Sequence, residues 1–569
     1  MTEAMHQQAF DHAARLFALG RLVEAAEQCR VALSGNPDHA PALHMLGLVL
    51  ANEGKLEEGL RYVERAARLE PQQPAFHATW GRLLVFAGRS EAATGVLDQS
   101  LQLEPDNPDT LHVLAIALRN LGRLSEAEAT ARRALASQPD APDLLDNLGG
   151  ILWQRGDVGA ARHCFEQALL HSDTHPGALA NLALLCEQTN QLETAERLAR
   201  KGLDVRPDAL TLRLVLGRCQ RRRQDYVAAR STLASLAESG TDTLQKDVAY
   251  ELALCADAMQ ESDAAVHHAQ RGNRLARASS PGMVEEADNF LDLIVRLQRQ
   301  FTAHWVSTWR ELPVTRPAPQ IAFMIGFPRS GTTLLDTMLG AHPQVTVLEE
   351  RPALQRVLDR LKQSFGGYPE GLANVTPEHQ AMLIQTYLEA AGDAGTSAGL
   401  LLDKSPFHTV HAGLIARLFF GSPIVFVTRH PCDVAWSCFM TNFELNAGTS
   451  HFTTIETTVR LYCSVMSLWK TYTEVLDLNR QQVRYENLLA DPEAELRRVA
   501  EFIGLAWSSR LLDHVNHAVA RDPVHTASYA QISRPLYYDA CGRWHRYRRH
   551  LEPYLEALQP WCEWLGYDI

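Results

Sequence analysis

Small residues in the first half of the chain return at a fixed interval. Gly20, Gly54, Gly88, Gly122 and Gly156 lie 34 residues apart. Ala25, Gly59, Ala93, Ala127, Ala161, Ala195 and Ala229 keep the same period, as do Gly47, Gly81, Ala115, Gly149, Ala183 and Gly217. Pro37, Pro71, Pro105 and Pro139 close successive intervals, and the series, broken at Asp173, resumes at Pro207. The pattern predicts two antiparallel helices per unit. Small residues let the helix backbones approach, glycine occupies a left-handed turn between the helices, and proline stops the second helix. Over residues 247–277 a further pair follows with its register slipped, Ala264-Ala265 standing near where residue 263 would fall. Residues 283–309 read as a long helix that caps the array and connects it onward.

Near Leu312-Pro313 and Pro317-Ala-Pro319 the pattern changes. Short apolar runs now alternate with helical ones. Candidate strands are 321–327, 345–348, 400–403, 424–428 and 482–485. Such alternation predicts a mostly parallel sheet with helices on both faces, and ligands of such sheets bind at the carboxyl ends of the strands. The expected organisation is a helical repeat array over 1–280, a helical connector over 281–317 and an α/β domain over 318–569.

The first strand runs into Gly326-Phe327-Pro328-Arg329-Ser330-Gly331-Thr332-Thr333. A tight loop entering a helix turns backbone N–H groups toward a common point and forms an anion site. The spacing is that of a nucleotide P-loop, but Thr332 stands where the lysine that reaches the β- and γ-phosphates belongs. Arg329 is the nearest substitute cation. The loop is expected to hold a phosphate, with ATP not the first candidate.

Two resemblances give these patterns names. The first half resembles the tetratricopeptide repeat, with about seven to eight units. Residues 321–561 resemble sulfotransferases that use 3′-phosphoadenylyl sulfate (PAPS), closest to the tyrosylprotein branch, and the whole chain resembles bacterial fusions of the two. Phe327 to Thr333 matches the 5′-phosphosulfate loop, and Val427-Thr-Arg429-His-Pro431-Cys-Asp433-Val-Ala-Trp-Ser437 matches the 3′-phosphate element. The resemblance implies that Arg329, Ser330, Gly331, Thr332 and Thr333 hold the 5′-phosphate and sulfuryl oxygens, and that Arg429 and Ser437 hold the 3′-phosphate. It makes Lys404, in Asp403-Lys404-Ser405-Pro406, the cation at the transferring group. Tyr485, Ser528 and Arg534 become further cofactor contacts, and Glu350 the catalytic base, with Glu349 in reserve. Arg329 and Lys404 join Glu350 as catalytic residues. This chain departs from the tyrosylprotein branch at Pro352 and Thr441, where that branch carries arginines, and an arginine stands at 351 instead. The departures leave the acceptor open between a peptide, a glycan and a small molecule.

The residues also have readings of their own. A strand-end arginine forms charge-assisted bonds with an anion. A helix begun at Pro431 brings Ser437 toward the same anion two turns on. Ser405 and Pro406 suit the start of a helix as N-cap and N1.

The remaining features narrow the function. A net charge of −13 with pI near 6.0 argues against a nucleic-acid binder. The first residues lack a basic stretch followed by an apolar core, and no apolar run nears the length of a membrane span, so a cytoplasmic location is expected. Ten cysteines without a C-x-x-C pair fit reduced thiols. His408 with His411 and His267 with His268 lack the company of metal ligands, and no metal is expected. The run from Gly542 to Arg549 reads as a helix with Trp544 buried and its arginines solvated. The repeats offer a groove for an acceptor or a protein partner. The alternatives are a P-loop kinase-like enzyme and a repeat-based adaptor with a degenerate nucleotide domain.

Overall fold

The computed structural model describes residues 3–313, 320–396, 399–515, 536 and 540–569. The chain separates into two compact units, one of Met1–Cys186 with Thr194–Leu212, the other of Glu187–Glu193 with Arg213–Ile569.

The first unit is built of antiparallel helix pairs such as Ala40–Asn52 with Leu56–Leu69 and Pro142–Gln154 with Val158–His171. The period-34 glycines do what their spacing requires. Gly20, Gly54, Gly88, Gly122 and Gly156 all have positive φ, from +72° to +90°. The turn survives after glycine is lost: Asn190 and Gln224 occupy it at φ +61° and +68°, and Gln260 at +62°, two residues late. That delay is the register slip expected around Ala264-Ala265, and Ala265 is fully buried. The other small positions mark close approach. A Cβ on Gly47 would lie 2.5 Å from Val63 Cγ2, and one on Gly59 would lie 2.6 Å from the Gly47 carbonyl oxygen.

The second unit holds a five-stranded sheet of β1 (Gln320–Gly326), β2 (Val345–Glu349), β3 (Leu400–Lys404), β4 (Ile424–Thr428) and β5 (Arg480–Arg484). The order is β2-β3-β1-β4-β5 and every pairing is parallel. Strands β3 and β4 are buried throughout, which explains their unbroken apolar runs. The alternate faces of β1 feed two cores: Ile321, Phe323 and Ile325 pack with Trp436 and Trp469, and Ala322 and Met324 with Leu335 and Leu339. The chain leaves β1 toward β2 and β3 on one side and returns to β4 and β5 on the other. The carboxyl end of β1 is therefore a topological switch point, where open α/β sheets place ligands.

Three local expectations are corrected. Tyr485 is not the end of a strand but the first residue of the helix Tyr485–Ala490. Ser405 stands at the N-cap position of the 3₁₀ turn Pro406–His411, yet its side chain makes no capping bond. Trp544 is fully buried as expected, but two neighbouring arginines are not simply solvated. Arg543 Nη2 lies 2.5 Å from Asp257 Oδ2 and Arg546 Nη2 lies 3.3 Å from Asp257 Oδ1.

Asp257 belongs to the helix Asp242–Ala258, so helices of repeat type pack within the unit that holds the sheet. Asn442 Nδ2 donates to Asp247 Oδ1 at 2.9 Å and Asn273 Nδ2 to the Phe439 carbonyl at 3.2 Å. From the helix Met283–Gln300, Gln298 Nε2 donates to Ser467 Oγ at 2.6 Å.

The glycine series makes a paired prediction. Gly59→Val forces a side chain into the Gly47 backbone and should destabilise the first unit by about 1–3 kcal/mol, as overpacking does. Gly95 lies in the helix Ser90–Leu103 with nothing within 4 Å of an added Cβ. Gly95→Ala should stabilise by about 0.5–1 kcal/mol. Thermal melts followed by far-ultraviolet circular dichroism should show opposite shifts for the two variants.

Candidate functional site

The loop after β1 is shaped by its own backbone and by what ties its carbonyls back. Ser330 N donates to the Phe327 carbonyl at 3.1 Å. Arg329 has φ +69° and Gly331 φ +105°, both left-handed. The helix Thr332–Gly340 follows, with Gly331 as N-cap. Thr409 Oγ1 donates to the Gly326 carbonyl at 2.6 Å, and Cys438 Sγ to the Pro328 carbonyl at 3.3 Å. Burial pushes the Cys438 thiol pKa up, against Arg329 and Arg429, and so favours its donor form. With these carbonyls held elsewhere, the first-turn N–H groups of the helix are left to face an anion. Glycine is required at both ends of the loop. A Cβ on Gly326 would lie 2.6 Å from the Val427 carbonyl oxygen, and one on Gly331 would lie 2.5 Å from Tyr485 Cδ2.

The second expected anion element meets this loop. Arg429 follows β4 directly, and the helix Pro431–Phe439 carries Ser437. Arg329 Nε donates to Ser437 Oγ at 3.0 Å, and Arg429 Nη1 to the Arg329 carbonyl at 3.3 Å. Arg429 also donates to the Ala540 carbonyl, and its guanidinium lies 5.2 Å from the centre of the Tyr485 ring. Asp433 does not pair with Arg429. Its two oxygens accept from Gly542 N at 2.7 Å and Trp544 N at 2.9 Å, fixing the following segment against the helix.

A separate charged cluster stands at the ends of β2 and β3. Register pairs Glu349 with Lys404. Lys404 Nζ lies 3.0 Å from Glu349 Oε1, 3.0 Å from Glu350 Oε1 and 3.3 Å from Asp336 Oδ2. Burial alone would lower the Lys404 pKa; Asp336, Glu350 and Glu349 together reverse this and hold it raised, so the side chain is an ammonium. Glu350 has φ +47°, and its N–H donates to the Lys404 carbonyl at 3.0 Å. Its bent backbone carries its carboxylate back over the strand end beside that of Glu349.

The structure thus brings Arg329, Ser330, Gly331, Thr332, Thr333, Arg429, Ser437 and Tyr485 into one cradle. Glu349, Glu350 and Lys404 form a second group, tied to the cradle's own helix through Asp336. Ser528 and Arg534 lie outside the described residues. The cradle suits a ligand with two separate anionic groups. Ser330 Oγ and Arg429 Nε are buried donors without a hydrogen-bond partner among the described residues, as expected where a ligand completes the set.

Sequence reasoning passed over Asp336, Thr409 and Cys438, and weighed Asp433 only as a partner of Arg429. Asp336 had a visible signal, an acid alone among Leu334, Leu335, Met338 and Leu339. The other three act on backbone groups, and contacts of that kind leave no spacing to read. His430, Cys432 and Cys562 bring ligand atoms within 4.8 Å of one another, the only such group among the described residues. Both His430 ring nitrogens already face the backbone, Nδ1 toward Cys432 N at 3.2 Å and Nε2 toward the Asp568 carbonyl at 2.7 Å. No described helix is long and apolar enough to cross a membrane.

A profile described as "Sulfotransferase family" matches residues 320–509. Tetratricopeptide repeat profiles match residues 40–73, 84–147, 147–202 and 188–242. An uncharacterized protein of Aquifex aeolicus is 26% identical over 43% of this chain and 33% of its own length. Protein-tyrosine sulfotransferase A of Caenorhabditis elegans is 28% identical over 44% of this chain and 68% of its own. Protein-tyrosine sulfotransferase 2 of Gallus gallus is 27% identical over 39% and 62%. The chain therefore spans between a third and about two thirds of these relatives. Among solved structures, a chain of the APC/C hetero-tetramer Cut9-Hcn1 aligns with 42% of this chain and 48% of its own at 18% identity and a TM-score of 0.39. This chain carries a run of tetratricopeptide repeats followed by a sulfotransferase-family domain.

Proposed function

We propose that the protein transfers a sulfuryl group from PAPS to an acceptor hydroxyl. The observation that carries this reading is Lys404, a buried ammonium shared between Glu349 and Glu350 one strand away from a phosphate loop that has no lysine of its own. A P-loop kinase keeps its cation in the loop; here it stands beside a candidate base.

The roles follow from position. The first-turn N–H groups with Ser330, Thr332 and Thr333 hold the 5′-phosphate end of the donor. Arg429 and Ser437 hold its 3′-phosphate, and Tyr485 lies over the loop glycine and the arginine. Glu350, half-exposed at the strand end, takes the proton from the acceptor hydroxyl. The acceptor oxygen bonds to sulfur as the bond from sulfur to the bridging phosphate oxygen breaks. Adenosine 3′,5′-bisphosphate departs with that electron pair. Lys404 and Arg329 stabilise the charge that builds on the leaving and sulfuryl oxygens. Sulfuryl transfer has a loose transition state like that of phosphoryl transfer, so positioning and fixed charge supply most of the catalysis. No metal is required, because side-chain cations serve the leaving group. We place the activity in the cytoplasm, in keeping with ten free cysteines.

The tyrosine sulfotransferases among the relatives support a protein tyrosine as acceptor. Pro352 and Thr441 remove two arginines of that branch, so glycans and small phenols or alcohols stand beside it. The repeats supply the surface that takes a large acceptor or a protein partner.

Three measurements test this reading. Adenosine 3′,5′-bisphosphate should raise the melting temperature more than ADP or ATP does, and Arg429→Ala should erase the difference. An equal response to all three in the wild type overturns the donor assignment. Glu350→Ala should lower kcat by about 100-fold or more, the range of general base catalysis, with nucleotide binding retained. Full activity in that variant moves the base to Glu349. Transfer of labelled sulfate from PAPS to panels of tyrosine peptides, glycans and small phenols identifies the acceptor class, and ATP turnover without sulfate transfer would favour a kinase-like enzyme.

A further inference from the structure

Asp257 lies near the end of the helix Asp242–Ala258 and is only 8% exposed. Three side chains of one later segment converge on it. Arg543 Nε donates to Oδ1 at 3.1 Å, and Arg543 Nη2 lies 2.5 Å from Oδ2. Arg546 Nη2 lies 3.3 Å from Oδ1, and Arg546 Nη1 donates to the Asp257 carbonyl at 3.2 Å. Tyr547 Oη donates to Oδ1 at 2.5 Å. A carboxylate so nearly buried is costly to strip of its partners. One anion is therefore the fixed point for the run from Arg543 to Tyr547.

The opposite side of that run meets the anion cradle. Gly542 N and Trp544 N donate to Asp433, on the helix that carries Ser437, at 2.7 and 2.9 Å. The Tyr547 ring stacks on Trp436 of the same helix, with ring centres 3.8 Å apart. The Ala540 carbonyl accepts from Arg429 Nη2. Asp433 and Asp257 thus hold the segment between them, one by its backbone N–H groups and the other by its side chains.

The Ala540 carbonyl matters because of the donors Arg429 has left over. A guanidinium is planar and carries five N–H bonds. Nη1 gives one to the Arg329 carbonyl at 3.3 Å, and Nη2 gives one to Ala540. Two carbonyls from different segments fix the plane of the group and its turn within that plane. Nε, buried, has no hydrogen-bond partner among the described residues. The donors that remain are thereby aimed before a ligand arrives, which lowers the cost of binding one. With Ala540 displaced, of the two carbonyls only that of Arg329 would orient the guanidinium.

Resting on the sulfuryl-transfer reading, we propose that Asp257 is a positioning residue for the 3′-phosphate of the donor. It acts on Arg429 through the segment from Ala540 to Tyr547. Glu350 and Lys404 stand at the ends of β2 and β3, on the other side of the switch point, so Asp257 governs donor affinity and not the chemical step. A helix of repeat type thereby sets how tightly the sulfotransferase-family domain holds its donor.

The test uses the full chain with Asp257→Asn, Asp257→Glu and Tyr547→Phe. Asp257→Asn should weaken binding of adenosine 3′,5′-bisphosphate by about 10-fold or more, the scale of one hydrogen bond to a charged group, and should raise the KM for PAPS alike. Its kcat at saturating PAPS should stay within about twofold of wild type, the signature of lost binding rather than lost catalysis. AMP, which lacks the 3′-phosphate, should bind the variant and the wild type equally, whereas a merely structural loss would weaken both nucleotides. Asp257→Glu keeps the charge and should recover most of the affinity. Tyr547→Phe removes one bond to Asp257, keeps the ring on Trp436, and should shift bisphosphate affinity the same way by less; it decides the matter if Asp257→Asn does not fold. Arg429→Ala already lacks the group that Asp257 positions, so adding Asp257→Asn to it should cost no further affinity. The proposal is overturned by wild-type affinity for the bisphosphate in every folded variant, by equal weakening of AMP and the bisphosphate, or by additive losses in the double variant. A wild type that does not prefer the bisphosphate to AMP overturns the sulfuryl-transfer reading itself, and this proposal with it.

Discussion

A lysine with no exposed surface must be matched by charge, and the carboxyl edge of this sheet is built around that requirement. Separating a buried ion pair costs about 3–5 kcal/mol, a large part of the net stability of a domain. The acids that match Lys404 come from two elements, the end of β2 and the first helix after β1. Their placement demands the strand order seen. With β3 between β2 and β1, Glu349 lies in register with Lys404, and the helix leaving β1 reaches it from the other side. Glu350 adopts a left-handed backbone at about 1–2 kcal/mol for a residue with a Cβ. Its N–H bond to the Lys404 carbonyl and its carboxylate contact with the ammonium offset that strain. Strain of this kind persists where surroundings over-determine it, which is characteristic of functional positions.

The cradle obeys a complementary constraint. A loop can present N–H groups to an anion only if its carbonyls are satisfied elsewhere, and Thr409 and Cys438 meet that need from flanking elements. Moving the lysine out of the loop and onto β3 separates two tasks that a P-loop lysine combines. In the proposed reading the loop grips one end of the ligand by dipoles, while the cation stands between two carboxylates. In the proposed reading Arg429 and Ser437 add a second grip at the neighbouring strand end, on the other side of the switch point.

Periodicity made the repeats readable because a left-handed turn and a close helix crossing each demand a small residue at a fixed place. The turn persists at Asn190, Gln224 and Gln260, where the glycine signal has gone. Only the structure shows it there, since tertiary packing replaces the local preference. In the α/β domain the strands were readable from apolar runs within a few residues. Glu350, Lys404, Arg429 and Ser437 were singled out because the resemblance carried their spacing, and the structure sets them at strand ends and on the helix after β4. Asp336 needed a contact between elements 68 residues apart in sequence, which no local pattern encodes. The same holds for Asp257, which lies 286 residues from Arg543 in sequence.

Asp257 bears on where the unit that holds the sheet begins. The segment from Ala540 to Tyr547 supplies the carbonyl that Arg429 donates to and the N–H groups that Asp433 accepts from. Its other side is held by Asp257, through Arg543, Arg546 and a 2.5 Å bond from Tyr547 Oη. The helix Asp242–Ala258 is thus one segment away from Arg429, and Asn273 touches the last turn of the Ser437 helix through the Phe439 carbonyl. A cut at the change of pattern near residue 313 would strip these partners from the segment that contacts Arg429 and remove Asp257 from Arg543 and Arg546. The compact unit that holds Arg429 and Ser437 therefore includes the last helices of repeat type, and the repeat pattern runs further along the sequence than the first unit does.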